Sequence, residues 1–436
     1  MDKNIPNEST SPPKAQPYSL SYKRYVLLIL TGVYAFNFID RQILVILQEP
    51  IKADLGLSDT QLGLLTGLAF AALYVILGLP IARYADNNNR KNVVSLSLVV
   101  WSAMTAISGL AQNFTQILLA RIGVGIGEAG GSPPAHSIIS DYYEPARRAT
   151  ALSIYSTGVY IGIFLGFLIG GMIAKNYGWR VALFALGIPG IFYALLVYLT
   201  VKEPIKGGLD KNPTTESKLT TTDVIKLLQS KKTFVFLALA TGFQSFGNFG
   251  IGNWLPSFLA RSHGMDIQNI GIVLGILAAL GGGLGTFSGG WMTDKLRKYS
   301  VKWYCWLPAI ATIVNFLPAS FVFFGNPTPA VLTVLGMSYF LSALYLGPSI
   351  AVTHSLVPAE MRAFASAVLF FVLNSLGMGL GPLVIGALSD WLEPTLGQDA
   401  LRWAFTCTFI SGSFASILFY LAGKNYEREV GEMSEE

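Results

Sequence analysis

Cysteine, histidine and charge are all scarce in this chain, and each shortage closes off a class of function. Two cysteines in 436 residues, Cys305 and Cys407, build neither a disulfide framework nor a thiolate metal site, and both fall in apolar runs. The three histidines stand far apart. With no Ser-His-Asp arrangement, metal cluster or phosphate-cradling loop visible, the chain reads as a non-enzyme with no metal and no cofactor. Asp, Glu, Lys and Arg together make up only 13% of the residues, about half the share of an ordinary soluble domain. The net charge of +5 is explained by where the charges sit and does not point to nucleic acid. No cleavable signal peptide is apparent.

What fills the chain is apolar sequence, 52% of it. Windows of about 20 apolar residues, enough to cross a bilayer, fall at 24–47, 61–84, 92–111, 114–139, 147–174, 179–200, 233–259, 270–291, 304–324, 329–353, 363–388 and 402–423. They are about twice the length that a barrel strand needs. The expected fold is therefore an all-α membrane protein of twelve transmembrane helices. Lys52, Lys175, Arg180, Arg261 and Arg402 are the only basic residues on loops of one side, and Arg41 and Arg121 stay in the membrane. That asymmetry predicts cytoplasmic termini and an integral, multi-pass protein of the inner cell membrane.

The longest polar interruption, 202–231, divides the spans into two sets of six. The expected plan is a disordered cytoplasmic tail (1–22), an N-terminal bundle (23–201), the linker (202–231), a C-terminal bundle (232–424) and a second cytoplasmic tail (425–436). Thr222-Asp223 opens a short amphipathic stretch, with Thr222 as N-cap, suited to the inner membrane surface. The two bundles echo each other at an offset of about 210 residues. Thr31-Gly32 matches Thr241-Gly242, Asp86…Arg90-Lys91 matches Asp294-Lys295…Lys298, and Pro145…Arg148 matches Pro358…Arg362. Two six-helix halves are a recurring transporter plan.

Four charges interrupt the apolar spans. Asp40-Arg41 lies in the first span, and Arg121 and Glu128 lie in the fourth among Gly123, Gly125, Gly127, Gly130 and Gly131. A charge at mid-membrane costs roughly 2.5–3.5 kcal/mol on insertion scales, so each needs a partner or a function. Arg121 and Glu128 are nearly two turns apart on one helix face. Counted from the outer ends of their helices, Asp40 and Arg121 match in depth, which predicts an Asp40–Arg121 pair and leaves Glu128 as proton carrier. A structural ion pair that fixes helix packing is the alternative. Asn37, Gln244, Asn248, Trp254, Tyr345 and Asn374 are candidates to line a substrate cavity with Arg41 and Arg121. His136 and His354 are expected near the membrane interface. The glycines of the fifth span (Gly158, Gly162, Gly166, Gly170) and those of the eighth and eleventh are expected to let helices cross closely.

The loop after the second span resembles the signature of the major facilitator superfamily, Gly-x-x-x-Asp-Arg-x-Gly-Arg-Arg. Ala82, Asn87 and Asn89 depart from it, while Asp86, Arg90 and Lys91 keep it; in the fifth span Phe167 stands where the family's antiporter motif has proline. The resemblance extends over 24–424. It implies that Asp86, Arg90 and Lys91, and by the repeat Asp294 and Lys295, gate the cytoplasmic side. Asp40-Arg41, Leu57-Ser58-Asp59…Gly63, Arg121-x-x-x-Gly125-x-Gly127-Glu128-Ala129 and Pro134…Asp141 resemble the Spinster branch. That likeness implies a monomeric secondary transporter working by alternating access, proton-coupled through Glu128 and Asp40, for an anionic lipid-like substrate of lysophospholipid or sphingolipid phosphate type. A proton-coupled carrier of small organic anions, with Arg41 and Arg121 binding a carboxylate, is the alternative. A sensor that binds without transporting is a third reading.

Overall fold

The computed structural model describes residues 18–207, 209, 221–325, 329–358 and 361–435. Nine helical runs among them are long and apolar enough to cross a membrane. The first three crossings are Leu20–Ile46, Asp59–Thr66 with Leu68–Asn87, and Arg90–Ser108. The fourth falls outside those nine runs because it is broken into Phe114–Glu128 and Ser132–Tyr142. The fifth and sixth form one hydrogen-bonded run, Pro145–Thr200, which turns at Gly178 with φ 85°, a conformation open mainly to glycine.

The C-terminal half repeats the plan. Its first crossing is Lys232–His263, the chain's seventh. The eighth is Ile267–Leu277 and Gly283–Leu296 joined by a π turn, and the eleventh is Arg362–Asn374 and Gly381–Leu396 joined by another. Trp303–Val314 with Phe316–Phe324 and Pro329–Ala343 with Leu346–Ser355 make the ninth and tenth, and Cys407–Glu435 the twelfth. Because successive helices reverse direction, residue 18 and the 88–89 loop lie at one end of the bundle, here the terminal end, and the 47–58 loop at the far end.

Local chemistry explains the helix starts. Ser19, Asn89, Asn113 and Asp266 each accept a hydrogen bond from a first-turn backbone N–H, and Ser58 with Gln61 forms a reciprocal capping box. The glycines of the fifth span pack on the first helix: a Cβ at Gly158 or Gly162 would meet the backbone carbonyl of Thr31 or Ala35. Across the halves, Gly171 and Gly271 let the fifth and eighth spans touch at the backbone.

Three apolar clusters show how the halves meet. One lies in the N-terminal half around Val26, Leu98, Trp101 and Tyr155, with Met378 as its one C-terminal member. A second lies in the C-terminal half around Phe234, Leu369 and Phe419. The third joins both halves toward the far end, where Ile43, Leu62 and Ile117 meet Trp254, Phe258 and Ile385.

Several expectations are corrected. The fourth span is not continuous over 114–139, because the chain turns at Ala129–Gly131. The segment expected as the C-terminal tail is helical as far as Glu435, with Tyr426 buried and Glu429 accepting from the Thr233 N–H at 3.4 Å. The Thr221–Ser230 helix buries Val224 and Leu228 in the C-terminal core and leaves Ile225 exposed. Linker residues 208 and 210–220, the first 17 residues, and the side chain of Thr222 with its capping role lie outside the described residues.

Candidate functional site: a buried charge cluster and a neutral cavity

Helices one and four bring their charges together inside the N-terminal half. Gly125 and Gly127 make this possible: a Cβ at either would meet the backbone of Phe70 or Trp101, so only glycine lets helices two and three press against helix four. Arg41 Nε donates to Glu128 Oε2 at 2.7 Å, with Glu128 fully buried and Arg41 17% exposed. The Arg41 guanidinium lies 4.9–5.0 Å from the ring centroids of Phe38, Phe70 and Tyr74. Its Nη1 stands 4.0 Å from Met378 Sδ on the eleventh span, its contact with the other half. Arg121 lies 4.9 Å from the centroid of Phe70, so that one ring serves two guanidiniums. Such contacts are worth about 2 kcal/mol when desolvated.

The pairing differs from the expected one. Arg121 Nη1 donates to the main-chain carbonyl of Asp40 at 3.2 Å, not to its carboxylate. Glu128, expected to lack a fixed partner, is the residue that has one, and Asp40 is the residue that lacks one. Neither carboxylate oxygen of Asp40 has a hydrogen-bond partner, although the side chain is wholly buried. Trp101 and Thr105 turn their polar groups toward it from the third span. Glu128 Oε1 and Asn37 Oδ1 are a further unpartnered pair of atoms in the same cluster. Tyr34 and Tyr74 complete the polar surroundings of Arg41.

The C-terminal half holds a cavity of about 320 Å³, lined in part by Asn248, Asn315, Thr286, Tyr339 and Tyr345. Tyr160 reaches in from the fifth span, its hydroxyl 2.9 Å from Thr286 Oγ1. Gln244 stands behind this wall. It accepts from Thr312 Oγ1 at 2.7 Å and donates to Asn248 Oδ1 at 3.2 Å, while Asn248 Nδ2 donates to the Ser342 carbonyl at 3.0 Å. Of the neutral candidates, Asn248 and Tyr345 line the cavity. Trp254 does not: it is fully buried in the joint core and donates to the Pro382 carbonyl at 2.8 Å. Asn374 is half-buried at the start of the eleventh-span π turn and is not among the lining residues. Asn315 was not anticipated. It sits between the two helices of the ninth span, and a lone asparagine with a proline three residues on was its only sequence signal.

The far end carries a second unanticipated group. Arg261 of the C-terminal half meets Asp59 and Glu49 of the N-terminal half, each at 2.7 Å, and Lys52 also meets Asp59 at 2.6 Å. Ser389 donates to Asp59 Oδ2 at 2.7 Å. Asp390 accepts from the backbone N–H groups of Asp59 and Thr60 at 2.8 and 2.7 Å, so one half caps a helix of the other. Gly63 and Gly386 give the room, since a Cβ at either would strike the opposite half's backbone. Asp54, in the same loop, is held below its usual 3.8 by a hydrogen bond from Arg180.

The expected gate residues Asp86, Arg90 and Lys91 pair with the N-terminal half and the start of the linker, and Asp294 and Lys295 with the C-terminal half. Arg90 is buried and binds Asp141 at 2.5 Å and Glu203 at 2.6 Å, and the Lys91 N–H also donates to Glu203. The exposed Asp86 offers its backbone carbonyl to Lys206. Asp294 accepts from the Tyr304 hydroxyl at 2.6 Å, and Lys295 lies over Trp291. His136 packs edge-on to Tyr155, and His354 hydrogen-bonds Ser366 at 2.7 Å.

Comparison with known proteins adds three findings. The family model described as Major Facilitator Superfamily matches residues 30–382. An MFS-type efflux pump of Mycolicibacterium smegmatis is 34% identical over 93% of each chain; a hexuronate transporter of Bacillus subtilis is 26% identical over 84% of this chain and 87% of its own. The crystal structure of a bacterial homologue of the human lysosomal transporter Spinster, inward-facing and unoccupied, superposes with TM-score 0.88 at 31% identity, over 94% of this chain and 99% of that one.

Proposed function

The chain belongs to the Major Facilitator Superfamily and resembles Spinster, and from that premise we propose a proton-coupled secondary transporter of an amphiphilic anion. It is a transporter and not an enzyme; proton coupling and the substrate class are the proposal. The observation that carries it is the enclosed cluster in which Arg41 is neutralised by Glu128 while the wholly buried Asp40 beside it has no hydrogen-bonded counter-ion.

The Glu128 carboxylate and an anionic cargo compete for one guanidinium in this reading. While Glu128 is ionised, Arg41 is matched within the protein. A proton on Glu128 cancels that partner, and the unpaired Arg41 then attracts an anionic headgroup held against Phe38, Phe70 and Tyr74. Asp40 is a second proton site, since a wholly buried carboxylate with no hydrogen-bonded counter-ion is costly until it binds a proton or water reaches it. Arg41, Arg121, Tyr34 and Tyr74 are the other titratable groups around the pair. Sealed at the far end and with the gate residues of the terminal end paired within their halves and, for Asp86, Arg90 and Lys91, with the start of the linker, the arrangement supports alternating access between the two bundles. We further infer that the terminal end is cytoplasmic, that the inner cell membrane is its location and that a monomer suffices.

Uptake into proteoliposomes with and without an imposed pH gradient tests this. A gradient-driven accumulation lost in Asp40→Asn and Glu128→Gln supports it; accumulation that ignores the gradient in the wild type overturns the coupling. The hexuronate transporter likeness favours a second reading, a small carboxylate as cargo. Competition by a short hydroxycarboxylate, with none by a single-chain phosphate lipid, would select it.

A further inference from the structure

Glycines mark a change of partner along the eighth span. Toward the far end, a Cβ at Gly271 or Gly275 would meet the fifth-span backbone at Phe167 or Phe164, across the boundary between the halves. The π turn Ala278–Gly282 follows. Past it, a Cβ at Gly285 or Gly289 would meet the backbone of Phe340 or Leu344, in the tenth span of the same half. The eighth span thus turns away from the other half at its π turn, and such inserted turns recur at bends and functional sites.

The Tyr160 side chain reaches across past that point. Its ring lies along Gly282 and Gly283, and its hydroxyl meets Thr286 Oγ1 at 2.9 Å. Thr286 gives its one proton to the Gly282 carbonyl at 2.9 Å, so Tyr160 is the donor in the bond between the halves. Among the described residues, Tyr160 and Ile163 alone bring the N-terminal half to the cavity lining, and of the two only Tyr160 carries a polar side-chain atom.

We infer that Tyr160 is a positioning residue that ties the content of the cavity to the angle between the two halves. Its ring is cavity wall and its hydroxyl is the bond to the eighth span, so an occupant that touches the one acts on the other. At about 320 Å³ the space lies at the small end of ligand pockets, and an occupant that fills it rests on this wall. Gly282 and Gly283 back the ring, so pressure on it holds the hydroxyl at Thr286. Occupancy therefore draws the terminal ends of the halves together, and by linkage the bond favours occupancy by the same factor. The inference rests on the transporter reading and adds the residue through which cargo acts on the bundles.

The test is the distance between spin labels on Asn88→Cys and Tyr299→Cys, exposed positions at the terminal ends of the two halves. The full-length protein carries Cys305→Ala and Cys407→Ala as background. With no cargo added, Tyr160→Phe and Thr286→Val are each expected to shift the ratio of long to short distances about fivefold toward long, the worth of one hydrogen bond. Thr286→Ser keeps the hydroxyl and is expected to keep the wild-type ratio. The double variant should be no worse than either single one, because both remove the same bond. An unchanged ratio in Tyr160→Phe overturns the inference, and so do losses that multiply in the double variant.

The link to cargo is read by adding a monoacylglycerol phosphate. The wild-type distances are expected to shorten, and the change should shrink in Tyr160→Phe. A change of full size in that variant overturns the link, as does a wild type that responds neither to this probe, nor to the neutral monoacylglycerol, nor to a short hydroxycarboxylate. Failure of the anion reading looks different: the neutral monoacylglycerol would then move the wild type as far as the phosphate does, with the loss in Tyr160→Phe intact.

Discussion

Arg261 Nη1 lies 2.7 Å from Asp59 Oδ2, across the boundary between the two halves, with Asp59 1% exposed. Arg90, the most buried of the signature residues at the opposite end, spends its guanidinium on Asp141 of its own half and Glu203 at the start of the linker. The far-end pair is one that must part before that end can open.

Removing one partner from such a pair leaves a charge with poor compensation. Arg261→Gln is expected to raise far-side access to a cysteine placed at Leu62, a buried position, by about tenfold in maleimide labelling. The background is Cys305→Ala with Cys407→Ala. Unchanged labelling would mean that the pair does not hold the far end shut.

Gly63→Ala offers the same outcome by a steric route. Its new methyl would meet the Pro382 carbonyl and the Leu383 backbone, so the far ends are pushed apart while every charge is kept. Far-side labelling at Leu62→Cys is expected to rise here too, with a lower transport rate.

Asp40→Asn is expected to keep a folded, binding-competent protein and to lose gradient-driven accumulation by tenfold or more. Glu128→Gln should lose it as well, and should also shift anion affinity, because the Arg41 partner changes. Proteoliposome flux at two internal pH values separates the variants. Coupling retained in Asp40→Asn would leave Glu128 alone as carrier.

Arg90→Ala should cost stability before it costs conformational balance. It strands Asp141 and Glu203, and a broken buried pair is worth about 3–5 kcal/mol. A clear fall in Tm is expected, against almost none for Asp86→Asn at an exposed site.

Asp54 supplies a control for pH experiments. Its pKa is lowered in the folded chain by Arg180, so what the pair contributes is present above the ordinary value of 3.8 and is lost as pH falls through the lowered one. Nothing changes there between about pH 5 and 8. The pH profile of transport in Asp54→Asn should match the wild type over that window.

The fold was legible because bilayer-length apolar runs and their flanking charges are local features of the chain. The charge cluster was legible as a set, Asp40, Arg41, Arg121 and Glu128, because each is costly in its span. Its pairing was not: depth along a helix predicts height, whereas partners are chosen by rotation about the axis, and Arg121 turned to a main-chain oxygen that no side-chain pattern encodes. The break at Ala129–Gly131 hid among glycines that serve packing elsewhere. The far-end group was unreadable for another reason. Arg261 and Asp59 lie some two hundred residues apart, and Arg261 already had a sufficient explanation as a topology charge. Asn315 is a single polar residue whose place in the cavity wall comes from the helices around it.

Asp390 caps the backbone of Asp59 and Thr60 from the other half. When the far ends separate, those two amides lose their acceptor and face water, while Ser58 still holds the Gln61 N–H from within the helix. Opening therefore writes itself into hydrogen exchange: amides 59 and 60 become fast, and amide 61 stays slow. A label-free mass measurement on the native protein could then count how often the far side opens, before any cargo is known.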